Sequence, residues 1–320
     1  MTLPTNTFTQ YDVTTNFEDL SDIIYDISPT ETPFASGIAR TKATNVLHEW
    51  SVDSLASASA TNAALEGDDA TGTALTAPTR PNNQCQILRK VVVVSGTQRA
   101  LRMAGGSDAF EYYTMKAGQE LKRDLESSLL SINPKTTGST ATARLLGGIE
   151  TWLSTNKVQA ATSTTPGNGA TLVVGTAVTV TTATQLNPMI DTVIQQCWTQ
   201  GGDPTVIMVN GGGRNYLSKL SGIATNFNSV NQGKQAQIVG GADVYVSSFG
   251  RHMIVANRFM VATTILILDM KYWAIAELRP MKSEPLAKTG DNDKIEVLTE
   301  VTLEARNQAS SGKISDRSFA

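Results

Sequence analysis

Residues 47–101 constrain this chain more than any other stretch, because their middle cannot fold upon itself. Two strand-like segments, 47–52 and 84–95, flank residues 56–81, which are rich in Ala, Thr, Ser, Gly and Asp. The second flank carries the β-branched run Val91-Val92-Val93-Val94. Between the flanks, Gly67-Asp68-Asp69, Gly72, Pro78 and Pro81 supply the chemistry of a hairpin tip or long loop. Such a segment has too few large apolar groups to offset the entropy of ordering it. A chain that keeps so much extended backbone is built to meet copies of itself.

Upstream lie two short amphipathic pieces on polar, proline-punctuated chain. Phe17, Leu20, Ile24 and Ile27 repeat at helical spacing, with Asn16 as cap and Ser28-Pro29 as stop. Thr32-Pro33 starts a second helix reaching residue 38. Charged residues make up only 17% of the chain, below the roughly 25% of an ordinary soluble domain. That composition suits burial against neighbours. The net charge of −3 argues against a dedicated duplex-binding protein, which needs a basic footprint.

The N-terminus, Met1-Thr2-Leu3-Pro4-Thr5, lacks a basic region followed by an apolar one, and the apolar runs are strand-sized. No membrane span or secretory leader is therefore expected. Cys85 and Cys197 lie far apart and outside any metal or redox spacing, so both read as small apolar residues of a chain made in a reducing cytoplasm.

The strongest local signal is a helix over about 107–132. Asp108 followed by Glu111 resembles a capping box, and Asn133-Pro134 ends the helix. Phe110, Tyr113, Ala117, Leu121, Leu125, Leu129 and Ile132 form one apolar stripe. Lys116/Glu120 and Lys122/Glu126 are expected to pair on the wet side. At ~1.5 Å per residue the helix would run to about 39 Å, a spine lying across a sheet.

After a loop at 135–142, residues 145–153 read as a short helix, and 171–180 show weak strand patterning. Leu186, Ile190, Val193, Ile194 and Cys197 mark an amphipathic helix closed by Gly201-Gly202. A buried strand at 205–209, a tight turn at Gly211-Gly212-Gly213, a helix at 214–220 and a hairpin at 243–255 complete a compact α/β unit. Residues 264–269 and 272–277 read as adjacent strands. Over 294–306, Ile295, Val297, Val301, Leu303 and Ala305 alternate with Glu296, Glu300, Glu304 and Arg306, which are expected on a solvated face.

Catalytic constellations are poor. His48 and His252 sit in no recognisable nucleophile motif. Glu66, Asp68 and Asp69 lack the order of a calcium loop. The Gly211–Gly213 turn could present amides to a phosphate, but it lacks the lysine and hydroxyl of a P-loop and the last glycine of a dinucleotide fingerprint. A turn needing positive φ explains it. No cofactor, metal or catalytic residue is assigned.

The order of parts, and several local stretches, resemble the major capsid proteins of tailed bacteriophages with the Hong Kong 97 fold. The local matches are Asn16-Phe17-Glu18-Asp19-Leu20 through Thr32-Pro33-Phe34, Leu47-His48-Glu49-Trp50, Glu66-Gly67-Asp68-Asp69-Ala70, Val94-Ser95-Gly96-Thr97-Gln98 and Lys116-Ala117-Gly118-Gln119-Glu120-Leu121. The resemblance implies an α+β fold with an N-terminal arm (1–46), an extended loop (47–99), a peripheral domain (100–182 and 262–320) and an α/β axial domain (183–261). It implies a structural head protein, not an enzyme, that self-assembles into hexamers and pentamers. These would form the icosahedral shell around double-stranded DNA in the virion, assembled in the host bacterial cytoplasm.

Portal and scaffolding proteins, and a decoration protein, are the partners the resemblance implies, with no membrane and no sequence-specific grip on DNA. Phe17, Leu20, Ile24, Ile27, Phe34, Trp50, Glu66, Asp68, Asp69 and Arg80 are the expected intersubunit contacts. Two other readings stay open on the sequence: an encapsulin-like cellular compartment shell, and an α/β enzyme with an anion site at Gly211–Gly213. The inner surface of the shell is expected to carry the glutamates of 294–306.

Overall fold

A computed structural model describes residues 30–67, 69, 72, 74–101, 108–180, 183–218 and 243–319. The helix expected over 17–27, with Phe17, Leu20, Ile24 and Ile27, lies outside the described residues, as does Asp68. The first elements are α1 (Pro33–Gly37), β1 (Ala39–Lys42), β2 (Leu47–Glu49), β3 (Asn82–Gln84) and β4 (Gln86–Ser95). A short α2 (Gly96–Ala100) precedes the long α3 (Ala109–Leu129). Then come β5 (Asn156–Val158), β6 (Val178–Val180), α4 (Ala183–Thr199), β7 (Val206–Val209) and α5 (Gly211–Ser218). The hairpin of β8 (Val244–Ser247) and β9 (Gly250–Ala256) leads to β10 (Ile265–Leu268) and β11 (Trp273–Leu286). The chain closes with β12 (Asn292–Ala305), β13 (Gly312–Ile314) and β14 (Arg317–Phe319).

Two sheets organise these elements. The first has the order β1-β11-β12-β4, with β1 parallel to β11 and the other pairs antiparallel. The second has the order β5-β13-β10-β7-β9-β8. Its strands β7 and β10 are apolar at every position because both faces are covered. Ile207, Val209, Ile265 and Ile267 pack with Leu186, Ile190, Val193 and Ile194 of α4. Met208, Leu266 and Leu268 point the other way, into the core shared with α3 and the first sheet. This sheet draws strands from 156–158, 265–268 and 312–314 as well as from 206–256.

The spine helix forms as its stripe dictates, at about 31 Å for its 21 residues. The Asp108 carboxylate accepts from the Phe110 amide at 2.9 Å, satisfying one orphan donor of the first turn. Ala117, Leu121, Leu125 and Leu129 are buried, while Tyr113 and Ile132 at the ends stay partly exposed. Glu126 departs from expectation. It does not meet Lys122 on a wet face but lies fully buried.

Other elements are also corrected. The flank 84–95 is two strands broken at Cys85: β3 pairs with β2, while β4 leaves the loop and pairs with β12. Over 145–153 only Ile149–Thr151 turns, as a single 3-10 turn. A side chain at Gly148 would collide with the Ser131 carbonyl, so two glycines, Gly147 and Gly148, replace the start of a helix. The strands expected at 264–269 and 272–277 belong to different sheets, because the 3-10 turn Met270–Tyr272 carries the chain from one to the other. Gly211–Gly213 is not a positive-φ turn. These residues form the first turn of α5, with the Asn210 Oδ1 accepting from the Gly213 amide at 2.8 Å.

Candidate assembly surface

The fold places three groups of residues that bear on assembly: a buried junction at Glu126, a neutralised row of glutamates on β12, and the exposed loop with its base. At the junction, Glu126 accepts hydrogen bonds from the amides of Phe34 (2.8 Å) and Ala35 (2.7 Å) and from Asn257 Nδ2 (2.6 Å). Burial pushes its carboxyl above the usual range, and the Ala35, Phe34 and Asn257 bonds pull it back. One side chain thereby joins α1, the spine helix and the end of β9. A wider view of the stripe would have flagged it: Leu130, four residues on, is also buried on that face.

The glutamates of β12 are not a solvated face. Glu300 is buried and takes Arg144 Nη2 at 2.6 Å and Arg279 Nε at 2.8 Å. Glu304 is buried too, accepting from Thr41 Oγ1 at 2.9 Å and Arg306 Nε at 3.0 Å, with His48 Nε2 at 3.2 Å. Burial opposes its charge, yet the bonds from His48, Arg306 and Thr41 prevail and hold it at about 2. Glu296 lies 3.7 Å from Arg89 Nη1. The alternation is real, but its polar side is covered by β1, β2 and the 135–145 loop, and Arg144, Arg279 and Arg306 neutralise it.

The loop rises from the β2–β3 pair. Val52 and Thr79 exchange backbone bonds at 2.9 and 2.8 Å, and Arg80 reaches Glu49 at 3.1 Å. Asn83 is fully buried and fully used: its Nδ2 donates to the Leu303 and Gly147 carbonyls, and its Oδ1 accepts from the Gly147 and Gln84 amides. Beyond this base the character changes. Among described residues 53–78, hydrogen bonds reach no further than two positions along the chain. Leu55, Leu65 and Leu75 are 99%, 81% and 96% exposed.

The contact residues expected from sequence separate accordingly. Phe34 has no exposed surface and belongs to the core beneath α3, so its ring serves its own chain and not a neighbour. Trp50 is half-buried, donating Nε1 to the Ala305 carbonyl at 2.8 Å and packing 5.4 Å from the Trp152 ring. Glu66, Asp69 and Arg80 are exposed. Leucines on the loop, Asn83 and Glu126 carried no motif that singled them out.

His48 serves Glu304 as described. His252 is buried, with Nδ1 2.7 Å from the Pro204 carbonyl and Nε2 2.7 Å from Ser247 Oγ. The carbonyl fixes the proton on Nδ1, so Nε2 accepts from the serine. No carboxylate backs the ring, and the pair staples the β8–β9 hairpin to the loop before β7. Among the described residues no group of three His, Cys, Asp or Glu could hold a metal ion. Among them, too, no helix is long and apolar enough to cross a membrane.

A sheet buried on both faces, a spine helix over a second sheet and an outflung loop are parts to be compared with known proteins. The profile of the SU10 major capsid protein matches residues 3–318. The chain belongs to the SU10 major capsid protein family. It is 27% identical over 342 residues to the major capsid protein of Escherichia phage Phieco32, covering 95% of each chain. Solved structures similar to this capsid protein include the capsid of cyanophage P-SCSP1u, with a TM-score of 0.64 at 13% identity over 99% of this chain and 97% of that one. Another is the capsid asymmetric unit of cyanophage A-1(L), with a TM-score of 0.65 at 15% identity over 97% and 99%. The fold is therefore that of Hong Kong 97-like capsids, and this capsid protein is a shell component of a tailed-phage virion. The compartment-shell and enzyme alternatives gain no support from these relatives.

Proposed function

We propose that the chain assembles as hexamers and pentamers whose strength comes from the loop at 47–99 lying over an adjacent copy. One observation supports this most: Leu55, Leu65 and Leu75 are 81–99% exposed on the part at 53–78, whose described residues make no hydrogen bond reaching further than two positions. Water-exposed leucine costs about 2 kcal/mol relative to burial, and every copy repeats the cost three times. Contact with a neighbour removes it, and many modest repeated contacts sum to a stable closed shell.

In this reading the region 183–261 lies towards the capsomer centre, and 100–182 with 262–320 forms the periphery. The protein acts as a structural component and not as an enzyme. Portal, scaffolding and decoration proteins are its partners, and it encloses duplex DNA without gripping it. The β12 glutamates do not supply a repulsive inner surface, since arginines neutralise two of them, so weak DNA affinity follows from the net charge of −3 alone. The test replaces residues 56–81 by a short Gly-Ser turn. Circular dichroism and unfolding of the subunit should match the parent, while sedimentation and negative-stain images should show no stable shells. Shells as heat-resistant as the parent's would sink the proposal.

A further inference from the structure

Beside β13 lies a charged chamber that the assembly surfaces do not use. Glu150 on the 3-10 turn, Lys313 on β13 and Asp316 just after it are all buried and line a cavity of about 40 Å³. The Lys313 ammonium donates to the Glu150 carbonyl at 2.9 Å and stands 3.9 Å from Glu150 Oε2, which accepts from Thr264 Oγ1 at 3.2 Å. Glu150 Oε1 is buried and has no hydrogen-bond partner among the described residues. Two carboxylates therefore share one ammonium. Lys157 and Arg317, the nearest other cations of the neighbouring strands, do not line the cavity; they donate to the Thr165 carbonyl at 3.1 Å and the Gln159 carbonyl at 3.4 Å. A space with room for roughly one or two waters cannot hydrate an unmatched charge.

Residues 163–174 form the outer wall of this chamber. Thr164 and Val173 exchange backbone bonds at 3.0 and 2.9 Å, and Leu172, Val173 and Val174 line the cavity. The strap is tied to the sheet through Ser163, whose Oγ donates to Asp316 Oδ2 at 2.6 Å and accepts from the Gly175 amide at 2.9 Å. We propose that the strap at 163–174 is a proton-linked latch, closed over the chamber while Glu150 carries a proton and loosened when that proton leaves. The proton belongs on Glu150 because Asp316 Oδ2 already accepts from two hydroxyls, those of Ser163 and Ser315, whereas Glu150 Oε1 has no donor to hold a charge. Burial pushes the Glu150 carboxyl up to about 7, with Lys313 and Thr264 pulling against it and Asp316 adding to it. Opening the strap lets water reach the carboxylate, which returns towards its ordinary range. Closure is therefore firmest at low pH and weakens as pH rises through 7.

Hydrogen exchange of the subunit at about pH 5 and about pH 8, corrected for the pH dependence of exchange itself, tests the latch. Opening at residues 163–175 should increase roughly tenfold or more at the higher pH, with no comparable change along α3. Glu150→Gln keeps the chamber neutral at every pH and should remove the step. Asp316→Asn leaves one carboxylate for one ammonium and should remove it too, so either variant decides if the other fails to fold. A merely structural role for these side chains would move exchange equally at both pH values. Equal protection of the parent at both pH values overturns the latch, and so does a step that persists in a folded variant.

Discussion

The loop at 53–78 and the junction at Glu126 solve opposite problems. At the junction a charge has been taken out of water and every partner it needs is provided from three separate elements of the same chain. On the loop the described polar groups stay in water and the leucines are almost uncovered. The junction completes the subunit, and the loop leaves it incomplete in a way that only apolar contact can mend. Stability of the single chain and stability of the shell are thus placed in different residues, and substitutions should separate them.

The largest effect on the subunit is expected from Glu126→Ala. It strands the Phe34 and Ala35 amides and Asn257 in a buried site, which should cost roughly 3 kcal/mol or more in urea unfolding. A loss under 1 kcal/mol would break the contrast. Glu300→Ala comes next, leaving Arg144 and Arg279 without their shared carboxylate. Both guanidinium groups are partly in water, so about 1–2 kcal/mol is expected.

Two carboxylates then set pH limits of opposite sign. Glu304 is held at about 2. Its contribution is complete above the ordinary carboxylate range and is lost as pH falls towards 2, so Glu304→Gln should flatten the acid limb of the stability curve. Glu150 is pushed up to about 7 by burial, with the buried Lys313 ammonium 3.9 Å away pulling it down. A raised carboxyl favours the fold at low pH, and that benefit disappears as pH rises through 7. Thermal unfolding of the subunit between pH 4.5 and 7 should show a decline that Glu150→Gln removes. The smallest effect is expected from Leu55→Ser and Leu75→Ser. Each should move subunit stability by no more than about 0.5 kcal/mol, yet lower the temperature at which shells come apart.

Much of this was legible because it is periodic. The stripe of α3, the stripe of α4 and the alternation of β12 each follow from spacing, and the elements appear where the spacing puts them. The loop was legible from composition. What sequence concealed was pairing at a distance. β10 and β11 are neighbours in the chain and strangers in space, while β4 looks like a leg of the loop and belongs to the sheet under the spine. Periodicity likewise said that Glu300, Glu304 and Glu126 lie off the main apolar face, but not that arginines and amides 21 to 156 positions away, and a threonine hydroxyl 263 away, would close over them. A period identifies a face, and only the rest of the chain decides what covers it.

The position of β13 has a consequence in time. This strand, at residues 312–314, is not at the margin of its sheet but between β5 and β10, with the Lys313 ammonium donating to the Glu150 carbonyl at 2.9 Å. At roughly 5–20 residues per second, a ribosome must work for tens of seconds before the strand exists. Until then β5 has no neighbour in the sheet, and the closing contact spans about half the chain, which makes it late and slow. A nascent chain therefore has its loop long before it has a finished core. A chain cut short before residue 312 would lack the strand that joins β5 to β10.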